Sequence, residues 1–152
     1  MKSRSASLVG RYHRLTVYDA DKPGGPHPYD GPVGDQLAYS APGELDGQIM
    51  LHTAAEHLPT TVTAEMGPAD HQDAQVAWRG PVQMFSDRLA LLNHDTEMEG
   101  LGGIGLSAGV WQVTVSVSGR DEAIHADAAR RAAMLEDDFD FEHDLPPSPE
   151  KW

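Results

Sequence analysis

The chain has 152 residues, no cysteine, and 24 acidic side chains against 11 Lys and Arg, for a formal net charge of −13. A surface of that sign repels nucleic acid and anionic membrane and attracts a basic protein face. The missing cysteine excludes disulfides, thiolate metal sites and cysteine nucleophiles.

The N-terminus Met1-Lys2-Ser3-Arg4-Ser5 carries two bases but no apolar run follows, so no signal peptide is expected. No stretch approaches the roughly 18 apolar residues of a membrane span. A cytoplasmic protein is the expectation. Residues 1–10 read as a flexible N-terminus, 11–119 as a β-sandwich domain, and 120–152 as a helix plus an acidic, Pro-rich segment. That last segment holds ten acids against four bases, a net −6, so it carries nearly half of the charge.

Tyr12–Asp19 alternates, with His13, Leu15 and Val17 on one face and Tyr12, Arg14, Thr16 and Tyr18 on the other. Side chains of a strand point to opposite faces with period 2, so this segment predicts a strand. Gly47–Thr53, Thr60–Met66 and Ala74–Arg79 follow as further strands. Val82 to Leu92 is a less regular one, interrupted at Ser86-Asp87-Arg88 by a turn or bulge. The strongest strand is Val110–Ser118, where Trp111, Val113, Val115 and Val117 alternate with polar residues between Gly109 and Gly119. Turns are expected at Lys22–Pro26, Asp30-Gly31-Pro32, Ala41-Pro42-Gly43, Met66-Gly67-Pro68 and Arg79-Gly80-Pro81. A helix is predicted over Ala123–Leu135, capped at Asp121 or Gly119, with Ile124, Ala128 and Leu135 as its apolar stripe. Short strands between dense turns predict an all-β, antiparallel sandwich of about seven strands with a short C-terminal helix. The predicted core is Leu15, Val17, Ile49, Leu51, Val62, Trp78, Trp111, Val113, Val115 and Val117.

The chemistry-bearing residues form no catalytic constellation. Asp19-Ala20-Asp21 with Gly24-Gly25 resembles the first half of a calcium loop, but Pro23 and Asp30 fall where an oxygen ligand and a Glu are needed. A solvated β-loop is the expected role. The eight histidines are scattered, with no HExxH pair; His52 and His57 flank Glu56, and His71 lies near Asp70 and Asp73. His13 reads as a satisfied core histidine. Gly100–Gly105 lacks the Lys and the helix of a phosphate loop and reads as a hairpin loop. No enzyme activity, metal or cofactor is expected. In Glu136–Asp144, Phe139 and Phe141 alternate with acids, which suits either a solvated tail or a docking segment.

Arg11-Tyr12-His13-Arg14-Leu15-Thr16-Val17 resembles the opening strand of the competence protein J family, with its Tyr-His-x-Leu/Phe-x-Val signature. Leu106-Ser107-Ala108-Gly109-Val110-Trp111-Gln112-Val113-Thr114-Val115 resembles that family's Leu-x-x-Gly-x-Tyr-x-Leu/Val strand. It also resembles a strand of related uncharacterised actinobacterial proteins. The resemblance spans residues 11–119 and rests on its two ends. It implies a small β-sandwich without a catalytic role, acting as the inhibitor partner of a nuclease. The chain departs from the pattern in a long acidic insertion and in lacking the final strand expected after Trp152.

The expected function is therefore a non-catalytic, acidic binding protein of inhibitor or immunity type, masking a basic partner such as a nuclease. The contact residues are placed at Asp137, Asp138, Phe139, Asp140, Phe141 and Glu142. No direct contact with nucleic acid or membrane is expected. The alternative is a self-associating accessory β-domain that forms homo-oligomers through an open sheet edge left by the missing strand.

Overall fold

A computed structural model describes residues 3–26, 37–39, 47–67, 74–93, 97–133 and 147–152. Among them are nine strands and one helix: β1 (Ser3–Val9), β2 (Arg14–Asp19), β3 (Ala38–Tyr39), β4 (Gln48–His52), β5 (Pro59–Glu65), β6 (Gln75–Met84), β7 (Leu89–Asn93), β8 (Met98–Gly102), β9 (Gly109–Val117) and α1 (Arg120–Ala133). A 3-10 turn, Arg11–His13, separates β1 from β2.

One sheet has the order β3-β4-β2-β7-β8, antiparallel throughout. β2 lies at its centre, with Leu15 opposite Leu51 and Asn93, and Val17 opposite Ile49 and Leu91. Facing it are two ribbons, β1-β5 and β6-β9. The last two residues of the chain join these ribbons. Lys151 exchanges both backbone hydrogen bonds with Ser118, each 2.9 Å. Trp152 donates to the Thr61 carbonyl at 3.1 Å and accepts from the Thr63 amide at 2.9 Å. Lys151–Trp152 therefore runs antiparallel to β9 and parallel to β5, as a two-residue strand between them. The two sheets bury Leu15, Ala38, Leu51, Leu91, Val62, Val117 and Trp152 against one another. The fold is the predicted all-β architecture with a single C-terminal helix.

Several expectations are corrected. Ser3–Val9 is not a flexible segment: all seven residues pair with β5, and Ser5 and Ser7 meet the hydroxyls of Thr63 and Thr61 across the pair. Its alternating small and polar residues gave little apolar signal. Arg79-Gly80-Pro81 is not a turn; β6 runs straight through it. Pro81 sits opposite Gln112 on a strand with one described strand neighbour, where a missing N–H is tolerated. Gly80 accommodates the Trp78 indole, whose Cζ2 would lie 2.7 Å from a Cβ at that position.

Tyr12 and His13 do not begin β2. They adopt φ of 54° and 60°, a left-handed region that non-glycine residues rarely occupy. The predicted stripe of α1 is also displaced. Ile124 and Ala128 are exposed, and the helix instead buries Ala123 and Asp127, one turn apart. Leu135 lies outside the described residues. Finally, Lys151 and Trp152, read in the sequence as part of an extended Pro-rich segment, pair with Ser118 and Thr61 between the ribbons.

The predicted core is only partly sealed. Leu15, Leu51, Val62 and Val117 are buried, whereas Val17, Ile49, Trp78, Trp111, Val113 and Val115 are half-buried. Five of those six, all but Trp78, line a single opening between the sheets.

Candidate functional site

Two features outside ordinary core packing are built from the residues upward: a junction of histidines and carboxylates, and the opening beside Trp152.

The junction gathers four stretches distant in sequence. Gly10 holds the left-handed turn close to residue 53; a Cβ there would collide with Thr53 Oγ1. His13 then reaches the Thr53 carbonyl through Nδ1 at 2.9 Å. A carbonyl only accepts, so Nδ1 carries the proton and Nε2 faces Glu56 Oε2 at 3.5 Å. The His52 ring packs at 5.7 Å from that of His13. Burial, followed by the nearby His13, Arg120 and Arg14, holds the His52 imidazole below its ordinary value, favouring the neutral form.

Helix α1 enters on the other side. Asp127 accepts from the backbone N–H groups of Glu56 (3.0 Å) and His57 (2.7 Å). Arg131 bridges Glu56 and Asp127 at 3.7 and 4.0 Å. Arg120 donates to the His52 carbonyl at 2.6 Å and to Glu150 Oε2 at 2.7 Å. Its guanidinium also lies 5.8 Å from the centre of the Trp152 ring. Glu150 is fully buried and takes the Ala54 N–H on both oxygens, at 3.0 and 3.1 Å. Burial raises its carboxyl above the usual range, against the lowering effect of the Ala54 N–H and Arg120. The junction thus ties residues 147–152 to the 52–57 loop and the start of α1. Its carboxylates Asp127 and Glu150 are spent on backbone N–H groups and on Arg131 and Arg120, so its chemistry is that of a lock.

The other single-residue staples are also acidic. Asp19 is fully buried. Burial alone would raise its carboxyl, but the Ser86 hydroxyl and the N–H groups of Asp21, Phe85 and Ser86 outweigh this and hold it below the ordinary value. Those donors lie at 2.5, 2.9, 2.6 and 2.7 Å. The calcium-loop candidate is therefore a turn staple on this residue. Asp87 accepts from the N–H groups of Ile104, Gly105 and Leu106, each at 2.9 Å, and so pins the glycine-rich loop.

His13 meets both His52 and Glu56, yet no group of three His, Asp or Glu side chains suited to a metal occurs among the described residues. His71 lies outside the described residues. So do the predicted contact residues Asp137, Asp138, Phe139, Asp140, Phe141 and Glu142. The junction was missed in the sequence because its hydrogen-bonded partners are separated by up to 96 positions. The one local signal is Arg11-Tyr12-His13 itself, whose pattern predicts a strand but which forms a left-handed turn.

The opening is a cavity of about 820 Å³. Six consecutive residues of the β5 segment, Val62–Gly67, and six of β9, Trp111–Ser116, border it. A cavity that meets every residue of a strand in turn faces the strand's backbone edge, since a side-chain face would present only every second one. Val17, Ile49, Met84 and Leu89 form its apolar floor. No helix among the described residues is long and apolar enough to cross a membrane.

No family model matches the chain, and no curated protein matches it. One solved structure is similar across most of both chains: the crystal structure of ComJ, inhibitor of the DNA degrading activity of NucA, from Bacillus subtilis. It aligns with a TM-score of 0.54 and 15% identity, over 90% of this chain and 88% of that one. The likeness is one of fold.

Proposed function

We propose that this chain is a non-catalytic, acidic binding protein of inhibitor type, whose partner is a basic protein such as a nuclease. The observation that carries this reading is the net charge of −13 displayed on a fold like that of a nuclease inhibitor. Nucleic-acid sites are lined by Lys and Arg to meet phosphate. A carboxylate-rich face competes for the same groups and steers the encounter. The structure refines the charge ledger: Asp19, Asp87, Asp127 and Glu150 are consumed by internal hydrogen bonds. The remaining acids, with residues 136–144 foremost, are the candidates for partner contact.

The segment Asp137–Glu142 supplies four acids and two aromatic rings in this reading. Charge there raises the association rate, and Phe139 and Phe141 add buried area. The test uses a basic nuclease recovered with the protein at low salt. Replacing Asp137, Asp138 and Asp140 by Asn and Glu142 by Gln lowers affinity and flattens its salt dependence. Unchanged affinity and slope remove the segment from the interface. Sedimentation of the protein alone as a stable oligomer, with no inhibition of any nuclease, supports self-association through a sheet edge instead.

A further inference from the structure

We infer that the opening between β5 and β9 is a strand-accepting slot: it takes an extended segment of the bound protein partner, of about five or six residues, as an inserted β-strand. The inference rests on the reading of the chain as a protein-binding protein and adds how the partner is held.

The occupant is identified by what already sits in the slot. Lys151–Trp152 is a strand one residue pair long, hydrogen-bonded on both sides. The gap it fills is therefore one strand wide. Along the same line, β5 and β9 continue with no described strand between them. Ser118 turns its N–H and C=O toward Lys151. With the two-residue period of a strand, Ser116, Thr114 and Gln112 turn theirs into the slot, while the residues between serve the β6 ladder. Six residues at about 3.3 Å each give a slot about 20 Å long.

Its chemistry follows from the walls. Trp152 points into the core and Lys151 away from it. An inserted strand in the same register alternates likewise, with apolar side chains over Val17, Ile49 and Val113 and polar ones outward. These floor residues are half-buried in a sandwich whose pattern calls for burial, so an occupant removes apolar surface from water. A small apolar ligand would use the floor but leave the backbone edges unmet; a strand uses both. The direction is fixed as well: antiparallel to β9 and parallel to β5, as for Lys151–Trp152. Addition of a strand to a sheet edge is a recurrent mode of peptide recognition.

The experiment appends Thr-Val-Thr-Val-Thr directly after Trp152, which places each Val on the Trp152 face. The control appends Thr-Pro-Thr-Pro-Thr, which lacks the alternate backbone donors. The expected result is a raised melting temperature relative to the control. Amide exchange at Thr114 and Ser116 slows by at least about tenfold. Thr114→Pro removes a slot-facing N–H without removing a donor to β6 and abolishes this protection. Equal melting temperature and exchange in the two fusions overturn the slot. So does an apolar small molecule retained in the native protein by mass spectrometry and not displaced by the appended strand.

A partner complex gives the final arm. The Val-containing fusion blocks the slot and weakens binding by about tenfold or more relative to the Pro control, a loss of about 1.4 kcal/mol. Unaltered binding overturns the partner as occupant. Failure of the charge reading is separately visible, because it shows in the salt slope and leaves the strand protection intact.

Discussion

At the scale of single residues, acidic side chains serve two opposite ends. Glu150 is buried with Arg120, and such a pair contributes little net stability until one member is removed. Arg120→Gln leaves the carboxylate inside without its cation. A loss of about 3 kcal/mol is expected, read by denaturant unfolding, and the double variant with Glu150→Gln should recover part of it. His52 supplies a pH dependence. Its folded value lies below the unfolded one of about 6.5, so the unfolded chain takes up the proton first as pH falls. The stabilising contribution is complete above that unfolded value and declines as pH drops toward the folded one. Unfolding free energy should therefore fall from pH 7 to pH 5, and His52→Gln should flatten that slope. If the slope is unchanged, another group carries it.

At the scale of elements, the strands with a period-2 apolar pattern were legible: Leu15 and Val17 in β2, Ile49 and Leu51 in β4, and Trp111 to Val117 in β9. β1 was not, because Ser5 and Ser7 hold it through cross-strand hydroxyl contacts and only Ala6 and Leu8 pack against the core. The helix was legible as a helix but not in its orientation. Its contact face is set by Asp127 binding backbone N–H groups 70 residues away, which no local periodicity encodes. A glycine holds the joint between β9 and α1. Gly119 has φ of 75°, and a Cβ there would collide with the Pro149 carbonyl. Gly119→Ala should cost at least about 1 kcal/mol by forcing both a left-handed alanine and a shift of residues 149–150. Thermal melting checks this, with Gly105→Ala as reference: its φ is 97° but nothing lies within 4 Å, so strain alone acts there.

At the scale of the whole molecule, among the described residues the two ribbons become one sheet through Lys151 and Trp152, while Glu150 is locked into the junction behind them. Removing residues 150–152 should cost several kcal/mol, on the order of burying one large aromatic plus breaking an ion pair. Loss of cooperative unfolding would accompany it. The candidate site was the least legible part of the sequence. The acids were visible as a total, but a total does not reveal which of them face inward. The slot was not legible either, because its walls are the residues whose alternation looked most like core.

The same closure bears on how the protein is made. β5 is flanked by Ser3–Val9 on one side and by Lys151–Trp152 on the other. A nascent chain can assemble the β2-centred sheet early, but the opposing sheet waits for Lys151 and Trp152. Contacts of such sequence separation are slow to form, and the half-built sandwich offers exposed edges meanwhile. Stalling of synthesis before residues 151 and 152 emerge would hold the protein in its most aggregation-prone form, and chaperone capture during synthesis should peak there.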